Sequence, residues 1–226
     1  MKKSLLILLP LLIASSLMVQ AGPCGIGTLA TYGAMGFSCT IDGLTFSDFS
    51  YSTTASGGAS TPDATGVGVI PQTGGGEIGF LFQGGWVATP KQTEDSLISY
   101  TVTCASGTNC INDLFLQMVG GASSPGAASV AETASNGAGL FTFAGGGTPI
   151  FTDSTMFKPV ETLSLEKDIV VSGGTGDSGA AHISAAFNLF STTSSVPEPA
   201  LAAFCAGMLL LIPVARRRFG RKASGM

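Results

Sequence analysis

From Ile98 to Cys104 every second residue is apolar: Ile98, Tyr100, Val102 and Cys104 alternate with polar neighbours. Period-two alternation puts one set of side chains on each face of a strand, so this segment predicts a half-buried strand. The same rhythm returns at Ile78-Phe80-Phe82 and at Ile183-Ala185-Phe187-Leu189. Leu44-Phe46 and Phe49-Tyr51 continue it if a bulge or turn at Ser47-Asp48 resets the phase. Leu114-Leu116-Met118, Leu140 to Phe143, Leu163-Leu165 and Ile169-Val171 are further candidates. Glycine clusters punctuate these runs: Gly57-Gly58, Gly74 to Gly76, Gly84-Gly85, Gly120-Gly121, Gly145 to Gly147 and Gly173-Gly174. No sustained helical period interrupts them. About eight short strands with glycine turns predict an all-β fold, an antiparallel β-sandwich or jelly roll. Ala55 to Thr73, with Pro62 and Pro71, and Ala122 to Ala128 read as loops.

The two ends follow a different rule. Lys2 and Lys3 precede an apolar run from Leu5 to Ile13, and Val19-Gln20-Ala21 offers small residues for cleavage before Gly22. Residues 1–21 therefore read as a secretory signal peptide with a signal helix. At the other end Val196-Pro197-Glu198-Pro199 precedes an uncharged apolar run from Ala200 to Ala215. Arg216, Arg217, Arg218, Arg221 and Lys222 follow at once. As a helix, the 17 residues from Pro199 to Ala215 span about 25 Å, close to a bilayer core. The basic cluster would stop transfer and stay cytoplasmic. The expected organisation is a signal peptide over 1–21, an exported domain over 22–195 and a C-terminal membrane segment over 196–222.

Charge separates along the same boundaries. The chain of 226 residues carries a net charge of −4. Residues 22–195 hold thirteen acids against three lysines (Lys91, Lys158 and Lys167), a net charge of −10. That balance argues against nucleic acid as a partner. Four cysteines, Cys24, Cys39, Cys104 and Cys110, lie in the exported region, and an even count there reads as two disulfides. Three pairings are possible. The local one, Cys24–Cys39 with Cys104–Cys110, closes two short loops and is the expectation. Cys205 falls in the apolar C-terminal run.

The order Pro197-Glu198-Pro199, short apolar helix, arginine-rich terminus resembles the PEP-CTERM sorting signal. Prolines forbid helix across 197–199, which leaves that segment extended and open to a processing enzyme. The resemblance implies export, transient anchoring in the inner membrane and processing by an exosortase, a membrane-embedded transpeptidase-like enzyme. It also implies a Gram-negative source and a destination at the cell surface or in an extracellular matrix rich in exopolysaccharide or biofilm. The segment from Cys24 to Cys39, followed by Leu44-Thr45-Phe46-Ser47-Asp48-Phe49, is similar to exported domains of the same family. So is Leu165-Glu166-Lys167-Asp168-Ile169 followed by Ala181-His182-Ile183-Ser184. Those domains carry no catalytic residue across.

Gly176-Asp177-Ser178-Gly179 looks like the nucleophile motif of trypsin-like serine proteases. The sole histidine, His182, lies four residues downstream instead of far upstream, so a glycine turn is the expectation. Glu166 and Asp168 share a strand face near Glu161, which is common for exposed acids and weak for a glycosidase. Asp42, Asp48, Asp63 and Asp177 could supply oxygen to calcium, without any recognised calcium-loop spacing. No catalytic residue, metal or cofactor is expected. The expected role is a structural or adhesive surface protein; the alternative is a carbohydrate-binding module in which Trp86, between Gly84-Gly85 and Pro90, stacks on a sugar, and a hydrolase is the remote third.

Overall fold

The computed structural model describes residues 21–192 apart from residue 106. The expected signal peptide over 1–21, save its last residue, and the expected sorting motif, apolar run and basic cluster lie outside the described residues. The elements in chain order are β1 (Gly22–Pro23), β2 (Gly27–Thr28), α1 (Leu29–Tyr32), β3 (Ser38–Ile41), β4 (Leu44–Ser56), β5 (Gly68–Gly74) and β6 (Glu77–Ala88). They continue with β7 (Thr93–Cys104), β8 (Ile111–Ser123), β9 (Ala127–Ala134), β10 (Gly139–Ala144), β11 (Thr152–Val160), β12 (Thr162–Ser172) and β13 (Ala180–Ser191). Sheet A has the order β1-β3-β4-β7-β12-β9-β10, and sheet B the order β11-β8-β13-β6-β5-β2. Every pairing is antiparallel except that of β1 with β3. The architecture is the expected all-β sandwich.

It has thirteen strands among the described residues instead of about eight. Part of the excess is two-residue edge pieces, β1 and β2. The rest are β3, β5, β9 and β11: β11 is largely exposed on both faces, while β3 and β9 bury small or few apolar side chains, so their alternation does not stand out in the sequence. The loop expected over Ala55 to Thr73 shrinks to residues 57–67, because β5 tolerates Pro71 where β2 no longer covers its edge. Likewise Ala122 to Ala128 is mostly strand, with only residues 124–126 between β8 and β9.

The inner faces meet in an aromatic core. Phe46 packs edge-to-face on Phe80, with centroids 4.7 Å apart, and Phe49 stacks on Tyr100 at 5.1 Å. The bulge expected at Ser47-Asp48 is present: the β4–β7 register shifts between Ser47 and Ser50, and Asp48 takes φ 57. It keeps both Phe46 and Phe49 inside. Both disulfides form with the local pairing, Cys24–Cys39 and Cys104–Cys110. The first staples the segment just after β1 to β3, and the second closes the β7–β8 connection.

β13 departs from the simple alternation. A bulge between Ile183 and Ala185 reverses its phase. Ile183 points inward, but beyond the bulge Asn188 and Phe190 are the buried residues while Phe187 and Leu189 turn outward. Asn188 meets a charged pair in the interior. Lys167 on β12 and Glu132 on β9 are directly opposed in register, form an ion pair, and are both buried completely. Tyr100 donates its hydroxyl proton to Asn188 Oδ1, and Asn188 Nδ2 donates to Glu132 Oε1 at 2.8 Å. Burial pushes the Tyr100 hydroxyl well above its ordinary pKa, with the charge of Glu132 adding to it.

The open edge of sheet A is blunted. The Phe143 N–H donates to the Ile150 carbonyl at 2.7 Å, and the neighbouring outward Phe141 N–H donates to Asp153 Oδ2 at 2.9 Å. Unsatisfied edge groups are templates for pairing with another chain, and here they are occupied from within.

Candidate functional site

Trp86 is not a glycan platform. Its side chain is fully buried on the inner face of β6. Its indole N–H donates to Ser96 Oγ at 3.0 Å, and the ring lies over Gly84, where a Cβ would come within 2.7 Å of it. Gly84 makes room for an interior ring instead of displaying an exposed one, whereas a Cβ on Gly85 would meet open space.

The outer face of sheet A is the feature that most resembles a contact surface. Directly opposed residues share a face, so the register lays out rows across the strands. One row is Thr40, Thr45, Thr103 and Thr162, spanning four strands, with a hydrogen bond of 3.2 Å between the last two. The next is Ser38, Ser47, Thr101 and Ser164. Farther along, hydroxyls give way to acids and rings. Leu97, Asp168, Ala131 and Phe141 form one row, and Asp95, Val170, Ser129 and Phe143 the one beside it. The small residues Ser129 and Ala131 of β9 form the floor of a shallow trough. Two strand spacings, about 10 Å, separate its acidic side on β12 from its aromatic side on β10.

The aromatic side is open. Phe141 is 48% exposed, and its ring stacks on that of Phe143 with centroids 6.3 Å apart and planes 15° from parallel. Ile150 and Phe151, also exposed, extend this apolar surface around the edge. On the acidic side, burial first, and then the neighbouring Asp95 and Glu166 carboxyls, lift the Asp168 carboxyl to about 6. Asp168 Oδ1 is buried without a hydrogen-bond donor. Carboxylates facing one another can only satisfy each other by sharing a proton.

The other sequence candidates scatter. Glu166 and Asp168 share the outer face as expected, and Glu161 is exposed just before β12. Asp177 and Ser178 lie in an exposed turn, Asp177 pairs with Lys91, and His182 projects outward from β13. Gly179 takes φ +108 in that turn, which only glycine adopts without strain. Asp42 sits at the β3–β4 turn and Asp48 in the β4 bulge. Asp63 accepts bonds from Thr65 N, Thr65 Oγ1 and Gly66 N, which hold its carboxyl below the ordinary range. These aspartates do not converge, and no group of three or more metal-ligating side chains occurs among the described residues.

Sequence reasoning placed Phe141 and Phe143 in a strand but did not say which way they faced. Leu140, Thr142 and Ala144 fill the inner positions instead. The signal for the buried ion pair was present: Lys167 keeps step with Leu163, Leu165, Ile169 and Val171, and Glu132 with Ala128 and Val130.

No family model matches the chain, and no curated protein matches it in sequence. Among solved structures it is similar to the crystal structure of the Bacteriophage CBA120 tailspike protein 4 enzymatically active domain. Identity is 12%, the TM-score is 0.28, and the match covers 64% of this chain and 19% of that one.

Proposed function

We propose that this chain is an exported surface or matrix protein without catalytic activity, which lies against polysaccharide through the outer face of sheet A. The observation that carries the reading is the outward-facing, stacked pair of exposed Phe141 and half-buried Phe143 across a small-residue trough from Asp95, Asp168 and Glu166. A pyranose ring offers C–H groups to an aromatic face and hydroxyls to carboxylates, and this trough provides both. The net charge of −10 over residues 22–195 disfavours uronic-acid polymers and favours neutral or amine-bearing chains. Two disulfides suit an oxidising compartment outside the cytoplasm.

The same proposal includes sorting. Pro197-Glu198-Pro199 is the recognition motif of an exosortase, residues 200–215 hold the chain in the inner membrane, and processing near 197–199 frees the domain. Co-sedimentation with insoluble neutral and amine-bearing polysaccharides tests the contact face. Each ring is worth about 1 kcal/mol, so Phe141→Ser with Phe143→Ser should weaken binding at least tenfold while circular dichroism stays unchanged. Equal binding by the variant would sink the contact face. Mass spectrometry of the mature C-terminus tests sorting independently. A shortened terminus in wild-type cells and a full-length form without the exosortase are expected, and Arg216 to Met226 retained on mature protein would refute processing.

A further inference from the structure

We propose that Lys167 and Asn188 join through an intramolecular amide bond between their side chains, formed by their own neighbours without any co-reactant. Three observations converge on it. First, both oxygens of Glu132 are engaged: Oε2 by Lys167 Nζ and Oε1 by Asn188 Nδ2 at 2.8 Å. One carboxylate therefore holds an amine and an amide side by side. Second, Tyr100 donates to Asn188 Oδ1, where negative charge develops when a nucleophile adds to the amide carbon. Third, Lys167, Glu132, Asn188 and Tyr100 are each at most 2% exposed, so water is excluded.

A buried ion pair needs neither an asparagine nor a tyrosine, and hydrophobic residues of similar size would serve stability as well. Asn188 reaches the pair from the opposite sheet only because the β13 bulge reverses the strand's phase. Burial also pulls the Lys167 amine below its ordinary pKa, against the attraction of Glu132, which favours the neutral nucleophile.

The step balances within the cluster. Glu132 takes a proton from the Lys167 ammonium, leaving a neutral amine and a neutral carboxyl. Nζ attacks Cγ of Asn188, and Tyr100 stabilises the oxyanion. Glu132 carries a proton from Nζ to Nδ2, the Cγ–Nδ2 bond breaks, and ammonia leaves. The product is a secondary amide beside a protonated Glu132, with no change in net charge or oxidation state.

The bond ties β12 of sheet A to β13 of sheet B. β13 is the last described strand and precedes the C-terminal sorting segment, so load applied through that end would meet a covalent tie between the sheets. This mechanical sense rests on the proposed surface role, whereas the bond itself does not.

The test is tandem mass spectrometry on proteolytic peptides of the purified, disulfide-reduced protein. A branched peptide joining Lys167 to Asn188, lighter than its two parts by one ammonia, is the expected result. Linear peptides with Lys167 and Asn188 intact, recovered from folded protein, would overturn the proposal. So would ammonia loss confined to Asn188 with Lys167 free, which is succinimide formation. Glu132→Gln keeps the size and hydrogen bonding of the side chain but cannot take the proton, so its peptides should be unlinked. If that variant fails to fold, Tyr100→Phe serves, with the cross-linked fraction lowered at early times after synthesis. A cross-link formed equally fast in both variants would refute the assigned roles.

Discussion

Replacement of Trp86 separates an interior tryptophan from a sugar-stacking one. The side chain is fully buried, and its N–H begins a relay of hydrogen bonds. Ser96 Oγ lies 3.1 Å from the Tyr51 hydroxyl, which donates at 2.8 Å to the Pro62 carbonyl. The relay therefore ties the loop over residues 57–67 to the core. Trp86→Ala removes the ring and leaves a cavity, a change worth about 3–5 kcal/mol. Loss of the donor to Ser96 adds about 1 kcal/mol. Against a total stability of about 5–15 kcal/mol, the variant should be marginally folded. Trp86→Phe keeps most of the volume and should lose only about 1–2 kcal/mol. Urea unfolding followed by far-ultraviolet circular dichroism measures both. Trp86 is the single tryptophan of the chain, so native fluorescence gives a direct check: the emission should be blue-shifted and resist quenching by acrylamide. A Trp86→Ala protein as stable as its parent, or an emission quenched as readily as free indole, would refute the assignment. Loss of glycan binding in Trp86→Ala would by itself report unfolding, which is why the Phe141 and Phe143 pair carries the binding test.

Asp168 introduces a pH dependence. Its carboxyl titrates at about 6 in the folded chain against an ordinary 3.8, so between these values the folded state holds a proton that the unfolded chain has released. Stability should therefore fall as pH rises through that window and level off above it. Solvent screening at the half-buried site holds the effect to about 1 kcal/mol. Asp168→Asn should flatten this slope, and melting curves from pH 4 to 7 with the same slope in both proteins would contradict it. At the edge of sheet A, Asp153→Ala uncovers the Phe141 N–H beside exposed aromatic surface. Concentration-dependent association by light scattering should follow, and an association state identical to the parent's would show that Asp153 is not the guard.

Strand parity was the most legible part of the fold. Alternation in β7 and β12 tells which side chains are inside, and it does so even for Lys167, whose charge hides the pattern from a reader looking for apolar residues. Short spacing favoured the local cysteine pairs, and the phase break at Ser47-Asp48 marked a bulge. The β13 bulge was not legible, because Ile183, Ala185, Phe187 and Leu189 alternate without interruption in the sequence. Its phase reversal is imposed by neighbours on both sides, β6 and β8. Gly84 beside Trp86 was equally ambiguous, since a glycine there can open a turn or clear space beneath a ring.

By itself, then, the sequence determined the parity of its clearest strands and the charge balance of residues 22–195, and favoured the local disulfides, all of which depend on near neighbours in the chain. Tertiary structure decided which faces meet. Lys167, Glu132, Asn188 and Tyr100 come from four strands, as do Asp168, Asp95, Ser129 and Phe141 on the outer trough. Such gatherings depend on strand order and register between distant segments, and a period of two residues repeats identically for every register that keeps the same face inside.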